Sequence, residues 1–571
     1  MKLITGKSVL ASLLTCLIMC ISSLAGQCAD EKEAERVDAW LTTHKTANIF
    51  RPGESIDVTF VFTGSGDKTL SYKVVNLLGE EKDHGEIHAA DREREVNRVI
   101  SFNEMGYAGI VMYMHCGDKV VEKTLSVGVL PDAPADYWNR DAGSPFGIWI
   151  TIKSDYLKEL GIKWERSGAY WEWYEQKKGQ PDKGYLSNQI LGSPEFEGIK
   201  KGYEQANINW YWFCGRPPAW AIPPASRKEN VTNNYAPGDW DAFRAFLRAF
   251  LPAMNPYMGR VWESANELIP PWGWQDTLQS QVDLQRVTYD EVKTFDRHIK
   301  VTSPSYTTGE LDLVNKILDL GLGKYMDILA FHPYPKNNMN PERFIVGEMK
   351  ALKQAMAKHY LHKDIWVTEF AWFPKINVEL YPWESNVITE KQQAEYLVRA
   401  HVLLLSEGVK LISWWPSDIR NIYLNNGNVE VKDATVDAEG KSAALMHSEP
   451  YTPDPMTYYW PKPAAIAYGI MTRNLYKSKY LYTLDYLGKD SHCCVFEKRG
   501  KPIIVAWNAS GEYPVGITVD APSVVITDMM GNTRKVSTKN GLLNVSLSTS
   551  PIYIHGASMD DLPKRNNQQS R

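Results

Sequence analysis

Disulfide chemistry has little room in this chain. Its 571 residues hold 7 cysteines. Cys16 and Cys20 fall in the leader described below, which leaves Cys28, Cys116, Cys214, Cys493 and Cys494. Dispersed thiols of this kind are no framework for a small stapled fold, and none has the spacing with histidine of a structural zinc site, so buried free thiols are expected. Positive charge is not in excess either: 63 Lys and Arg stand against 68 Asp and Glu, a net charge of -5. No broad cationic field therefore favours nucleic acid or an anionic membrane, and neutral partners are expected. Beyond the leader no stretch approaches the ~20 continuous apolar residues of a membrane span. The phosphate-cradling turns G-x-G-x-x-G and G-x-x-x-x-G-K do not occur, and there are no tandem repeats.

Aromatic residues are abundant, with 20 Trp and 30 Tyr; their flat rings suit the apolar faces of sugars as well as a protein core. Residues 1–25 read as a secretory leader. Lys2 and Lys7 supply charge, Val9 to Leu24 are mostly apolar, and Ser23-Leu24-Ala25 supplies small residues before a cut. A secreted or periplasmic product follows as an expectation. A lipid anchor at Cys20 or Cys28 is the alternative, although Met19 and Gln27 are not the small residue that precedes an acylated cysteine.

Three rhythms follow along the chain. Residues 31–133 show short alternating segments such as Ile56-Asp57-Val58-Thr59-Phe60-Val61-Phe62, the pattern of an antiparallel β-sandwich. Residues 140–478 alternate compact apolar runs with helix-length amphipathic stretches, which predicts a parallel (β/α)8 TIM barrel. Its strands are expected at Phe146 to Ile150, Lys163 to Ser167, Ile208 to Phe213, Val261 to Ala265, Lys300 to Thr302, Asp327 to Phe331, Ile365 to Thr368 and Leu411 to Trp415. Alternation returns in 479–557 as a small C-terminal β-domain, and the polar 558–571 is expected to be a disordered tail.

In such a barrel chemistry gathers where the strands end. Strand four ends in Asn266-Glu267 and strand seven in Thr368-Glu369, three places apart around the ring, so the two glutamates are expected to face each other across the mouth. Alternation would turn Glu369, Val367 and Ile365 inward together, and would bury Glu263 with a cationic partner. Paired carboxylates suit glycosidic cleavage: one protonates the leaving oxygen, and the other attacks the sugar carbon or activates water.

Asn-Glu ending strand four, His-Pro-Tyr at 332–334, Thr-Glu-Phe at 368–370 and Trp414-Trp415, in that order, resemble the retaining glycoside hydrolases of clan A, nearest in flavour to the xylosidase and iduronidase family 39. The resemblance implies Glu267 as acid/base, Glu369 as nucleophile, and Asn266 on the sugar hydroxyl beside the reacting carbon. It further implies that His332 and Tyr334 tune Glu369, that Arg166 keeps Glu369 ionised, and that Trp414 or Trp415 forms the floor under the sugar. Trp220 is a candidate stacking platform. No cofactor or metal is implied. Where many relatives continue with Pro after the strand-four glutamate, this chain has Leu268-Ile269-Pro270-Pro271-Trp272, so the leaving-group side has its own shape. Two other functions stay open: a carbohydrate-binding scaffold on a barrel without turnover, and a metal-dependent hydrolase, disfavoured because His332 has no second ligand at metal spacing in sequence.

Overall fold

A computed structural model describes residues 39–62, 66–116, 119–149, 155–181, 194–223, 235–255, 259–374, 387–416, 422–425, 428–431, 443–450 and 457–563. The expected leader, both candidate anchor cysteines, and the side chains of Cys116 and Cys214 lie outside the described residues. The chain divides into two compact units, residues up to 103 with 108–127, and residues 104–107 with 128 onward.

The first unit is a β-sandwich. One antiparallel sheet joins Ala39–Thr43, Ile56–Phe62 and Glu95–Ile100; the other contains Lys68–Asn76 paired with Glu81–Ala89. Alternating burial along Ile56–Phe62 and Lys68–Asn76 sends one face of each sheet inward, where Phe60 meets Tyr72 at 5.5 Å between ring centroids.

The second unit is built on a closed parallel ring. In chain order it runs β1 (Phe146–Trp149), α1 (Asp155–Leu160), β2 (Trp164–Tyr170), α2 (Pro194–Ala206), β3 (Asn209–Gly215), α3 (Trp240–Met254), β4 (Val261–Glu263) and α4 (Leu278–Phe295). It continues with β5 (Lys300–Thr302), α5 (Leu311–Asp319), β6 (Ile328–His332), α6 (Ile345–Lys358), β7 (Asp364–Phe370), α7 (Glu390–Ser406), β8 (Leu411–Trp414) and α8 (Pro463–Leu475). Each strand pairs in parallel with the next, and β8 pairs with β1. All eight expected strands are present, including the short Lys300–Thr302.

Local chemistry sets the helix starts. Asp239 accepts from Ala242 N–H ahead of α3, Thr277 accepts from Ser280 N–H ahead of α4, and Thr389 forms a reciprocal capping box with Gln392 on α7. Pro463 takes the first turn of α8, where its missing N–H costs nothing. On α3, Phe243, Phe246, Leu247, Phe250, Leu251 and Met254 recur at helical spacing and are buried.

Trp164, Tyr211, Val261, Ile328, Trp366 and Leu411, one from each of six strands, form a single buried cluster, and residues so distributed meet only inside the ring. Their presence corrects the expected orientation of β7. Trp366, not Val367, fills the lumen. The register against β8 then shifts between Val367 and Phe370, a bulge on β7 that lets Glu369 reach the mouth despite its odd parity with Trp366.

The last domain has a six-stranded antiparallel sheet, from Lys479–Thr483 through Ile552–His555 to Thr533–Ser537, beside a two-stranded ribbon of Tyr513–Thr518 and Leu542–Leu547. It is fastened to the barrel by polar contacts as well as packing. Trp507 Nε1–H donates to Glu342 Oε1 at 2.8 Å, and Arg399 on α7 donates to the same carboxylate through Nε (2.7 Å) and Nη2 (2.6 Å). Gly531 has φ +98° and lies so close to α8 that a Cβ there would sit 2.7 Å from Ile470 Cδ1. Cys493 and Cys494 are free and buried, as expected, and burial raises the Cys494 thiol to about 12, which leaves it unreactive. Order also runs past residue 557, against the expected disordered tail: Asp520 N–H donates to Asp561 C=O at 2.9 Å, and Leu562 packs into the domain core.

Arg399→Met would strand the Glu342 carboxylate in a buried site, at a cost of about 3–5 kcal/mol. Urea unfolding should show that loss, with partial recovery in Arg399→Met/Glu342→Gln; equal midpoints for wild type and the single variant would refute the role given to this pair.

Candidate active site

At the strand ends the residues assemble around one cation. Arg166 shares inward parity with Trp164 on β2 and is fully buried. Its guanidinium lies against both Phe213 (4.3 Å from the ring centroid) and Trp149 (4.9 Å), two rings that meet edge to face at 5.9 Å and exclude water without competing for its N–H groups. Four of its five N–H donors are used. Nε and Nη2 donate to Glu263 Oε2 (2.7 Å) and Oε1 (2.6 Å), Nη2 to Asn266 Oδ1 (2.7 Å), and Nη1 to Glu369 Oε2 (3.0 Å). Burial opposes the charge, but Glu263 and Glu369 more than offset it and hold the Arg166 pKa well above its ordinary value. Glu263 thus has the cation its burial requires, whereas Glu165, the other acid beside Arg166, accepts from Ser167 Oγ.

Because an arginine only donates, Asn266 must turn Oδ1 toward it; Nδ2 donates to none of the described residues and is available for a ligand. Glu267 follows in a left-handed conformation, φ +43°, unusual for a residue with a side chain. Three contacts hold it there. Its N–H donates to Ser305 Oγ (2.9 Å), its carbonyl accepts from Ile269 N–H (2.8 Å), and Gly273 approaches so closely that a Cβ there would lie 2.0 Å from that carbonyl oxygen.

Opposite stands Glu369, which accepts from Tyr334 OH at 2.5 Å and from Arg166. His332 reaches both acids, with its hydrogen bond to Glu267 rather than to Glu369. Its Nδ1 lies 2.7 Å from Glu267 Oε1 and 3.9 Å from Glu369 Oε2, while Nε2 is held by Thr368 Oγ1 at 3.0 Å. The ring therefore supports Glu267, with Thr368 fixing its plane.

Carboxylate oxygens of Glu267 and Glu369 come within 4.8 Å of each other, with His332 between them. Burial pushes both carboxyls up to about 7, and it pushes His332 down to about 4, so the imidazole is neutral at pH 7. The donors at contact distinguish the two acids, both of which stand near 7 with those donors in place. Glu369 receives donors from Arg166 and Tyr334 and carries the charge; Glu267, with only a neutral imidazole at contact, keeps the proton.

Two carboxylates and a histidine within 4.8 Å also form a set with metal-ligand chemistry, which the sequence spacing did not suggest. Their atoms are already matched to one another, however. The His332 nitrogen facing the cluster is hydrogen-bonded to Glu267, and the Glu369 oxygens are taken by Arg166 and Tyr334.

Of the tryptophans, Trp415 reaches the mouth, stacked on Trp149 (5.9 Å) and edge-on to Tyr334 (6.4 Å). Trp414 does not: it is buried, donates Nε1–H to Ala443 C=O, and packs on Phe370 and Trp372, because its side chain leaves the opposite face of β8. Trp220 is not brought to the glutamates either; its Nε1–H donates to Glu175 C=O and its ring meets Trp171. Sequence reasoning passed over Ser305, Thr368, Gly273 and the Trp149 and Phe213 rings packed on Arg166. Only the lumen-facing parity of Phe213 with Tyr211 gave a usable signal.

A ring of eight parallel strands, flanked by β-domains and carrying paired acids at its mouth, defines a (β/α)8-barrel protein with extra β-domains at both ends. No protein-family profile and no curated sequence matches the chain. Among solved structures it is similar to a family 39 glycoside hydrolase from Bacteroides cellulosilyticus, with 18% identity, 86% of this chain and 95% of that one covered, and a TM-score of 0.63. Two further matches are a family 39 β-xylosidase from Caulobacter crescentus (13%, 74% and 97%, TM-score 0.47) and a family 30 endoxylanase from Clostridium papyrosolvens (14%, 74% and 98%, TM-score 0.47). At these identities the likeness is one of fold.

A carboxyl whose folded pKa is about 7 holds its proton at pH values where the unfolded chain has lost it, so its contribution to stability is present below pH 4.5 and is lost as pH rises through 7. Glu267→Gln removes that loss. Between pH 5 and 9 the variant should gain on wild type by on the order of 2 kcal/mol in urea unfolding; parallel pH curves would contradict the protonated state assigned to Glu267.

Proposed function

We propose that this protein is a retaining glycosidase that hydrolyses O-glycosidic bonds of an oligo- or polysaccharide outside the cytoplasm. The observation that carries the reading is that an oxygen of Glu267 and an oxygen of Glu369 lie within 4.8 Å of each other, a close approach that favours the shorter, retaining separation of the two carboxyl groups. Retaining enzymes hold their two carboxyl groups at about 5–5.5 Å, whereas inversion needs about 6.5–9.5 Å to seat a water. The leader-like residues 1–25 supply the motive for export.

The division of protons assigns the steps. Glu369, ionised by Arg166 and Tyr334, attacks the anomeric carbon; Glu267 delivers its proton to the leaving oxygen, and a glycosyl-enzyme ester forms on Glu369. Glu267, now charged, takes a proton from water, which attacks the same carbon and releases Glu369. Asn266 Nδ2 is placed to hydrogen-bond the neighbouring sugar hydroxyl, a contact that strengthens as positive charge develops on the ring. Trp415 lies where a ring would support the sugar in this pocket. His332, neutral throughout, steadies Glu267 in both protonation states by exchanging donor and acceptor roles. A binding scaffold without turnover is the weaker reading, because it gives no reason to hold Glu267 in a strained backbone beside a second acid.

Aryl-glycoside turnover should fall at least ~10³-fold in Glu369→Ala and, for poor leaving groups, ~10²- to 10⁴-fold in Glu267→Ala, with melting temperatures near wild type. Azide should rescue Glu369→Ala with inversion of the product anomer, read by proton NMR. Full activity in either variant, or a first-formed product of opposite anomeric configuration in wild type, would end the proposal. On an activated substrate, Glu267→Gln should also lose the alkaline limb of the pH profile, since no acid remains to be deprotonated.

A further inference from the structure

Beside the paired acids, on the Glu267 side, lies a cavity of about 220 Å³. Asn266 and Glu267 line it, and Glu369, Tyr334 and Trp415 do not. Its walls are Tyr170, Tyr235, Trp272 and Trp274. Two of these are pinned: Tyr235 OH donates to Gln275 Oε1 at 2.8 Å and Trp274 Nε1–H to Thr277 C=O at 2.9 Å. In a reaction where Glu267 protonates the departing oxygen, the space beyond Glu267 receives the leaving group.

Arg216 supplies the charge of this cavity. It directly follows the end of β3, at the ligand-binding end of the barrel, and is held in a left-handed conformation, φ +49°. Backbone strain of this kind persists where the surroundings enforce it. Its carbonyl accepts from Glu172 N–H (3.1 Å), which fixes the turn. The guanidinium lies over Tyr170 at 4.4 Å, and its nearest carboxylate, Glu172 Oε1, is 3.8 Å away, beyond hydrogen-bond length. Its N–H groups make no hydrogen bond among the described residues. Arg166 is the opposite case, with four of its five N–H donors hydrogen-bonded. A planar cation stacked on one face, with free edges in an aromatic-walled recess, matches the geometry of a carboxylate or sulfate oxygen pair.

We propose that this cavity is the leaving-group subsite and that Arg216 selects a leaving sugar bearing an anionic substituent, a carboxylate or a sulfate ester. The inference rests on Glu267 being the acid of the proposed hydrolase, but its test needs no turnover. The full chain is titrated by ligand-observed NMR with methyl β-D-glucuronide, methyl β-D-glucoside 6-sulfate, methyl β-D-glucoside and inorganic sulfate. The two anionic glycosides should bind about tenfold more tightly than the neutral one, the order of a charge-assisted fork, and the better of the two identifies the substituent. Arg216→Gln should reduce that preference to less than about twofold. Glu172→Gln, which removes the competing carboxylate, should strengthen anionic binding and provides a second reading should Arg216→Gln fail to fold. Equal binding of charged and neutral glycosides, a preference that survives Arg216→Gln, no gain in Glu172→Gln, or inorganic sulfate binding as tightly as the glycosides would each overturn the assignment. Aryl-glycoside turnover alongside any of these results leaves the hydrolase reading intact.

Discussion

The site depends on one buried guanidinium. Among the described residues Arg166 is the only group that touches Glu263, Asn266 and Glu369 together, and those residues come from the ends of β4 and β7, on opposite sides of the ring. A charge so placed is costly to desolvate, and the cost is offset only when the partners are close and the geometry is good. Here two carboxylates, one amide oxygen and two aromatic faces meet that condition. Lysine would not serve: a point charge on a flexible stem cannot pack against the Trp149 and Phe213 rings while directing donors to three residues. Glu263, which touches no ligand in the proposed mechanism, is part of the same arrangement, since it neutralises the cation and leaves Glu369 with a single charged donor.

The second constraint is asymmetry between two similar acids. Burial is the largest cause acting on both Glu267 and Glu369, and both stand at about 7 with their neighbours in place. Function requires that they differ, and the difference comes from what donates to each. Cation and phenol converge on Glu369, while an imidazole kept neutral by its own burial faces Glu267. The pair therefore titrates as one unit holding a single proton near neutral pH, with the proton's location set by neighbours. Backbone geometry adds to this on one side only: Ser305, Ile269 and Gly273 hold Glu267 in a conformation the chain would otherwise leave.

Much of this was legible because it follows from period and order. Eight apolar runs separated by helix-length segments yielded the eight strands, even the three-residue β5, and the positions of Asn266, Glu267 and Glu369 at strand ends yielded the acids. What was not legible depends on departures from period. Trp414 and Trp415 are adjacent in sequence, and nothing local says which one faces the mouth; the pairing of β8 with β1 and β7 decides it. The orientation of β7 was misread because a bulge is a fault in the alternation on which the reading relied. His332 belongs to Glu267 rather than Glu369 because Thr368 turns the ring, a contact between side chains on neighbouring strands that sequence distance hides. Ser305, in the irregular segment after β5, carried no signal at all.

The bulge on β7 also bears on any effort to move this site to another scaffold. An open sheet can pass one surplus residue along to a free edge, but a closed ring has none, so the extra step must be absorbed within a single strand pair, here between Val367 and Phe370. Two neighbouring positions, Thr368 against His332 and Glu369 against Arg166, thereby serve the same opening. A grafted motif copied onto a regular strand would place one of them inside and the other among the helices. The irregularity would have to be transplanted with the side chains, and a loop-by-loop transfer that preserved residue identities while straightening the ladder would yield a barrel with its carboxylate facing the wrong way.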